Sequence, residues 1–292
     1  MSERRTPMAD YDAMATSTAG RVMETYSTSF SLASRLLNAR TRTDIRNLYA
    51  VVRIADEIVD GTASDAGLTD TGVREELDAF EYQVMRALGS GFSTNPPVHA
   101  FAGTARRTGI TAEHMTAFFS SMRRDLSPSP VYDDAELAAY IYGSAEVIGL
   151  MCLCIFTAGH GLPEGDLDRC ATGARRLGAA FQKINFLRDL HEDTAELGRS
   201  YLGDGDPLTD RRRDEVIADV RADLDAALET VPLLPVRARA GVIAAALLYR
   251  ELTDRLAVTP ASVIMRHRVS VPARVKATIP ARALLTAARM RP

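Results

Sequence analysis

Several residue types are rare or absent in this chain, and each absence argues against a class of protein. There is no Trp, and aromatic residues make up 6% of the 292 residues, which argues against a lectin-like surface or an aromatic cage. Three Cys, an odd number without a CxxC pair, argue against a disulfide framework and a zinc ribbon, so we expect a reducing compartment. The net charge of −3 provides no global basic surface, so we expect no nucleic-acid partner.

Signals for export or membrane insertion are also lacking. Residues 1–10 are polar and predict no signal peptide, and the longest uncharged apolar run, 147–158, is too short to span a bilayer. Eight Arg or Lys and no acidic residue follow Asp254, a basic segment suited to phosphates or to an anionic membrane surface, although a solvated basic helix is the alternative. We therefore expect a cytoplasmic protein, either soluble or peripheral on the inner face of the membrane.

The spacing of apolar residues predicts a chain that is nearly all α-helical. Apolar residues make up 46% and charged residues 25%, an ordinary globular balance, and period-2 runs are scarce. No break is long enough for a linker, and no repeat, GxGxxG, P-loop or GxSxG motif is present, so we expect one domain over 1–292 with a ligand site between its helices. Thr43, Thr111 and Thr209 are expected to cap three helices. The predicted helices are 9–37, 43–60, 71–88, 97–108, 112–125, 133–158, 164–195, 209–229, 236–256 and one or two after 260.

One polar stripe is predicted on the helix over 43–60. At 100° per residue, four polar side chains fall within about 60° of one another on a helix whose other faces are apolar: Tyr49, Arg53, Asp56 and Asp60. Like charges spaced i,i+4 cost a helix about 0.2–0.5 kcal/mol. An apolar helix therefore tolerates the Asp56–Asp60 pair better when a cation lies between the carboxylates.

A second stripe is predicted on the helix over 164–195. Asn185, Asp189 and Asp193 recur at i, i+4 and i+8 within about 80° of arc. All three offer hard oxygen ligands, without His or Cys, which favours Mg²⁺ over Zn²⁺. One DxxxD pair alone is typical of a solvated face, but two copies on two otherwise apolar helices indicate a pair of metal-binding helices.

Three arginines accompany the acidic stripes: Arg53, Arg188 and Arg199. Magnesium in proteins is usually held by one or two carboxylates together with substrate phosphates. The stripes and their arginines therefore suggest a site for a diphosphate bridged by magnesium. The alternative is that the arginines are ordinary ion-pair partners and that the acidic stripes are solvated.

Several segments of the chain share their order and spacing with one known family. The matching segments are 26–30, 49–60, 140–149, 177–193 and 199–202. The run from Gly178 to Tyr201 is the most specific of them. In these segments the chain resembles the squalene/phytoene synthase family of head-to-head prenyl synthases over most of its length. Within that family it is most similar to the bacterial carotenoid-pathway branch, the bacterial phytoene synthases.

The resemblance implies a fold, an activity and a set of site residues. The fold would be the single-domain isoprenoid synthase helical bundle with a central active-site cavity, and the protein a Mg²⁺-dependent prenyltransferase in which Mn²⁺ could substitute. The implied metal ligands are Asp56, Asp60, Asn185, Asp189 and Asp193, of which the four aspartates are also the implied catalytic residues. The implied substrate-binding residues are Ser29, Phe30, Tyr49, Arg53, Gln182, Arg188, Arg199, Tyr201 and Tyr249.

The implied substrates are polyprenyl diphosphates. Two geranylgeranyl diphosphates would condense through a cyclopropyl (prephytoene) diphosphate to 15-cis-phytoene and diphosphate in carotenoid biosynthesis, with no NADPH. One alternative is a squalene or dehydrosqualene synthase that uses two farnesyl diphosphates, and squalene formation would require NADPH. A head-to-tail prenyl elongase and a non-catalytic helical assembly protein of the same fold are further alternatives.

Three positions depart from the pattern of the family. Glu57 stands where a second Asp is common, about 100° off the acidic stripe. Glu146 stands where Gly is common, so an altered helix kink is expected there. Gly203 stands where Pro is common, so the loop could be looser. Small residues on the helix over 133–158, including Gly149 and Cys152, are candidates for the cavity floor.

Overall fold

The structure is a computed structural model that describes residues 6–127, 133–191 and 207–290. Within these ranges all regular structure is helical, as the spacing of apolar residues predicts. The α-helices are α1 (Pro7–Tyr26), α2 (Thr28–Ser34), α3 (Ala39–Val59), α4 (Thr62–Asp65), α5 (Asp70–Ser90), α6 (Pro96–Thr108), α7 (Ala112–Asp125), α8 (Asp134–Ile141), α9 (Val147–Thr157), α10 (Glu164–Arg188), α11 (Asp210–Thr230), α12 (Val236–Val258), α13 (Ala261–Ile264) and α14 (Ala273–Arg289).

Two large hydrophobic clusters, the first and the second core, hold many of the helices together, and further clusters pack the rest. The first core packs α3, α5, α6, α7 and α9 around fully buried side chains such as Phe101 and Phe118. The second core packs α10, α11, α12 and α13 around Ile184, Leu224 and Leu256. Because α3 and α9 belong to the first core and α10 and α12 to the second, the cavity that these four helices line lies where the two cores meet.

Local capping corrects the bounds of two predicted helices. The helix predicted over 9–37 is broken at Ser27, because the Ser27 side chain accepts the backbone N–H of Phe30 at 3.1 Å and begins a new helix, α2. Helix α3 begins at Ala39 rather than at 43, because Asn38 caps it by accepting the N–H of Thr41 at 3.1 Å. Thr209 is confirmed as a cap and accepts the N–H of Arg212 at 3.2 Å.

The helix predicted over 133–158 is not one continuous α-helix. A π-helical turn over Tyr142–Glu146 separates α8 from α9. Such turns occur as single insertions in α-helices, frequently at functional sites. Glu146, the last residue of the turn, pairs with Arg175 of α10 at 2.6 Å. The π-turn thus ends at the position that departs from the family pattern, and the effect of Glu146 on the helix kink stays a prediction.

Helices α9 and α10 approach each other closely because two glycines lie at their contact. A Cβ on Gly149 would lie 2.3 Å from the backbone oxygen of Ala174, and one on Gly178 would lie 2.5 Å from the backbone oxygen of Ala145. No side chain fits at either position. The absence of Cβ atoms is what brings these two cavity walls together.

One helical stretch in the described part of the chain is long and apolar enough to cross a membrane by length and composition. It covers Asp134–Thr157, including the π-turn, and its most apolar window has a mean hydropathy of 1.7 and is 44% buried. Core helices of water-soluble proteins meet the same criterion. Here one face of α9 packs in the first core through Val147 and Met151, and the other lines the cavity.

Candidate active site

A cavity of about 700 Å³ lies between the two cores. Its walls come mainly from α2, α3, α9, α10 and α12. Aliphatic and aromatic side chains make up most of the lining. The charged and amide side chains of the lining form what we call the mouth: Arg53, Asp56, Asp60, Asp125, Gln182, Asn185, Arg188, Asp189, Arg268 and Lys276. The apolar walls include Leu37, Ile45, Leu48, Val52, Ile148, Cys152, Leu153, Phe156, Leu228, Leu234, Val242 and Leu248. The cavity therefore suits a ligand with a charged head and a long apolar body.

Helices α3 and α10 both end at the mouth, and each ends on an aspartate. The N–H of Asp60 donates to the carbonyl of Asp56 at 2.8 Å, and the N–H of Asp189 donates to the carbonyl of Asn185 at 2.8 Å. The helix predicted over 164–195 is thus corrected, because α10 ends at Arg188 and Asp189 is its C-cap. A helix C-terminus carries partial negative charge, so two carboxylates there call for a compensating cation.

The surroundings of Asp56 at the mouth disfavour its charged form. Burial, and then the neighbouring charge of Asp60, raise the pKa of Asp56 well above its ordinary value, although Arg53 acts in the opposite direction. Asp125, the last residue of α7, adds a further negative charge. Such a site favours either a proton on Asp56 or a bound cation.

The donor set at the mouth fits magnesium. Asp56, Asp60, Asn185 and Asp189 offer only oxygen ligands, the type that Mg²⁺ prefers. Within the described ranges no group of three or more His, Cys, Asp or Glu converges on one metal position. A magnesium ion at the mouth would therefore complete its coordination with water or ligand oxygens, as Mg²⁺ usually does.

Arginines neutralise the acidic residues on the α10 side of the mouth. Arg188 forms two hydrogen bonds with Asp189, one of them from Nε to Oδ1 at 2.8 Å. Arg268 lies 3.1 Å from the same carboxylate. Although burial acts to lower it, the pKa of Arg188 is raised by the hydrogen bonds to Asp189, so this guanidinium is permanently charged.

Arg53 is the main cation on the α3 side. Its guanidinium lies over the ring of Tyr26, with Cζ 4.6 Å from the ring centroid, and its Nη2 pairs with Glu57. Its Nε is buried without a hydrogen-bond partner, although Arg53 lines the cavity. A buried guanidinium N–H without an acceptor is costly, so a ligand oxygen at the mouth would relieve it.

Four aromatic rings form a cluster in the lining of the cavity. Phe181 stacks on Tyr249 with ring centroids 3.7 Å apart and planes at 15°, and Phe30 lies 6.2 Å from the rings of Tyr49, Phe181 and Tyr249. The Tyr249 hydroxyl donates to Asn185 Oδ1 at 3.4 Å. Burial raises the pKa of Tyr49 to about 12, so its hydroxyl remains protonated.

Most of the residues predicted from sequence meet at this cavity. Those that line it are Ser29, Phe30, Tyr49, Arg53, Asp56, Asp60, Gln182, Asn185, Arg188, Asp189 and Tyr249. Asp193, Arg199 and Tyr201 lie outside the described residues, so their places in the site stay predictions. Retention of Asp56, Asp60, Asp189 and Arg53 beside one cavity disfavours a binding protein that has lost its chemistry.

Three charged residues of the mouth are not predicted individually from the sequence. Asp125 is a lone acid at a helix end, and the hydroxyl of Tyr140 donates to it at 3.1 Å. Arg268 and Lys276 belong to the basic segment after Asp254, and both line the cavity. The excess of positive charge in that segment suggests contact with phosphates, but the sequence alone does not show which of its residues reach the site.

Over the described ranges, the helical shell and its cavity define an all-α fold whose central cavity suits an amphiphilic ligand. More specifically, the chain belongs to the squalene/phytoene synthase family, because the model of that family matches residues 23–275. The family resemblance of the sequence is thereby confirmed.

Known relatives agree with this assignment. The chain is 30% identical over 260 residues to phytoene synthase 3, chloroplastic, of Zea mays, which covers 81% of this chain and 58% of that protein. It is 30% identical over 186 residues to the 15-cis-phytoene synthase of Enterobacter agglomerans, covering 62% of this chain and 59% of that one. The matches thus span about three fifths of each relative's length.

A solved structure shows the same fold. The structure of a dehydrosqualene synthase in complex with ligand superposes with a TM-score of 0.77 at 20% identity and covers 96% of this chain and 99% of that one. The helical bundle around a central cavity is therefore the isoprenoid synthase fold that the resemblance implied.

Proposed function

We propose that this chain condenses two geranylgeranyl diphosphates head to head, through a cyclopropyl (prephytoene) diphosphate, to 15-cis-phytoene and diphosphate. The observation that carries this proposal is the cavity, in which a mouth of carboxylates and guanidinium groups opens directly onto an apolar interior. The relatives named phytoene synthase support a C40 rather than a C30 product, and so a role in carotenoid biosynthesis.

The cationic side chains of the mouth would receive the diphosphate heads. Arg53 presents its unpartnered Nε–H, and Arg188 lines the same end of the cavity from α10. Lys276 is held beside α2 by a 3.3 Å contact between its Nζ and the Thr28 hydroxyl. Negative charge grows on the leaving diphosphate as its C–O bond breaks, so cations fixed at that position lower the barrier to ionisation.

The acidic residues of the mouth would hold magnesium. Asp56, Asp60, Asn185 and Asp189 would be its ligands, and Asp193 is predicted to join them. Magnesium, or Mn²⁺ in its place, would neutralise charge on the leaving diphosphate. The proposed reaction is not a reduction, so it requires no NADPH.

The interior would protect the carbocation that ionisation leaves behind. Aliphatic walls exclude water, which would otherwise capture the cation as an alcohol. The ring faces of Phe30, Phe181 and Tyr249 carry negative electrostatic potential and lie next to the mouth, where positive charge would form. These rings can therefore stabilise the cation without offering a nucleophile that would capture it.

We also propose that α14 places the protein on the inner face of the membrane. Arg274, Arg282, Leu285 and Arg289 fall within about 80° of arc on this helix and are exposed, with Leu285 61% exposed. The helix carries no acidic residue, so its outer face complements an anionic lipid surface. Its first turn reaches the mouth through Lys276, which would bring the oily substrate and product close to the bilayer.

The reaction is tested by product analysis with purified protein. Geranylgeranyl or farnesyl diphosphate is supplied with Mg²⁺, with and without NADPH, and extracts are examined by mass spectrometry. The proposal predicts a C40 hydrocarbon from the C20 substrate without NADPH, and no product with EDTA. A product that keeps its diphosphate would indicate head-to-tail elongation, and a product that forms only with NADPH would indicate a squalene synthase.

A further inference from the structure

Glu57 lies in the last turn of α3, next to the mouth but outside the cavity lining. Its carboxylate faces Arg53, one turn earlier on the same helix. Its side chain is only 19% exposed, so the pair is not an ordinary solvated surface contact. Glu57 can therefore influence a ligand in the cavity only through the residues that it holds.

Two groups hydrogen-bond to the Glu57 carboxylate. Arg53 Nη2 pairs with Oε1, and the Thr62 hydroxyl donates to Oε2 at 2.5 Å. Tyr26 supplies the ring over which the Arg53 guanidinium lies. The carboxylate and the ring hold the arginine from two sides, and its buried Nε–H is left without a hydrogen-bond partner.

The pair offers little to helix stability. A carboxylate in the last turn of a helix opposes the helix dipole, and an acid placed C-terminal to its basic partner at i,i+4 is the weaker of the two orders. The geometry of the pair therefore serves the orientation of Arg53 better than it serves α3.

We propose that Glu57 is a positioning residue that fixes Arg53 with its Nε–H facing the cavity, ready for a diphosphate oxygen. The inference rests on the proposed function for the identity of the ligand. An Arg side chain carries a rigid, planar guanidinium on a long flexible stem. Because Glu57 would restrain the Arg53 side chain before the ligand arrives, diphosphate binding would cost less side-chain entropy. Glu57, which stands where the family commonly has a second Asp, thus affects the site through Arg53, although it lies off the acidic stripe.

The test measures inorganic diphosphate binding by calorimetry in saturating Mg²⁺, together with kcat and KM for geranylgeranyl diphosphate. Glu57→Gln keeps the size of the side chain and removes its charge, and we expect it to weaken diphosphate binding about tenfold or more, since charge-assisted hydrogen bonds are roughly twice as strong as neutral ones. Glu57→Asp keeps the charge and should recover part of the affinity. The control is Glu251→Gln, which breaks another i,i+4 pair, with Arg255, on α12 and should leave binding unchanged.

A double-mutant cycle separates positioning from general stability. In an Arg53→Gln background, Glu57→Gln should change diphosphate binding less than twofold, because the residue through which it acts is gone. Equal losses in both backgrounds, or unchanged binding in Glu57→Gln alone, would overturn the proposal. If wild type binds diphosphate but does not convert the C20 substrate, the proposed function fails while the binding cycle still decides the role of Glu57.

Discussion

Gly149 on α9 faces the backbone oxygen of Ala174 on α10, and a Cβ at Gly149 would lie 2.3 Å from that oxygen. Although Gly149 borders the cavity, a side chain there would meet the neighbouring helix rather than the ligand. The position therefore sets the spacing of two cavity walls and is unsuitable for probing the cavity floor.

The first prediction concerns this helix contact. Gly149→Ala should destabilise the protein by about 1–3 kcal/mol through overpacking, measured by urea unfolding. Gly103→Ala is the matched control, because Gly103 is also helical and no atom lies within 4 Å of its added Cβ. The control should be neutral or stabilising by about 0.5–1 kcal/mol. Equal stability of the two variants would mean that α9 and α10 are not in close contact.

The second prediction concerns product length. Cys152 and Cys154 on α9 both pack against the first core, but only Cys152 is also part of the cavity lining. Cys152→Phe should shorten the cavity and shift turnover from the C20 toward the C15 substrate. Cys154→Phe should lower the melting temperature without changing the product. An unchanged C40 to C30 ratio in a folded Cys152→Phe protein would place the floor elsewhere.

The third prediction couples metal, activity and stability at Asp56. Asp56→Asn should lose at least about two orders of magnitude in kcat, as expected when electrostatic stabilisation of ionisation fails. Without metal the same variant should melt at a higher temperature than wild type, because it removes a desolvated carboxylate next to Asp60. Added Mg²⁺ should raise the melting temperature of wild type more than that of the variant. Near-normal turnover by Asp56→Asn would remove this residue from the site.

The fourth prediction concerns α14. Flotation should show salt-sensitive binding to vesicles that contain phosphatidylglycerol and weak binding to phosphatidylcholine vesicles. A double variant, Arg282→Gln with Arg289→Gln, should lose most of that binding, because each basic residue near an anionic surface contributes about 1 kcal/mol. Arg169→Gln with Arg211→Gln, two exposed arginines on other helices, is the control. Equal binding to both vesicle types would contradict a membrane role for α14.

The sequence predicts the helical class and most of the cavity because both depend on periodicity. The 3.6-residue repeat brings Asp56 to the same face as Tyr49, and packing of the apolar faces turns both inward. Local capping is harder to foresee, since Ser27 interrupts an apolar pattern that continues past it, and Asn38 begins α3 about one turn before the predicted start at 43. Contacts such as that between Arg268 and Asp189 join residues far apart in the chain, and no local spacing encodes them.

Competition between the two substrates tests the central proposal most directly. Equal concentrations of geranylgeranyl and farnesyl diphosphate are incubated with wild-type protein and Mg²⁺ in the absence of NADPH. The amounts of C40 and C30 hydrocarbon are then measured by mass spectrometry. The proposed function predicts mainly 15-cis-phytoene with slow C15 turnover, since apolar contacts discriminate by only about 1–3 kcal/mol per methylene-scale change. A predominantly C30 hydrocarbon, or no hydrocarbon until NADPH is added, would contradict it.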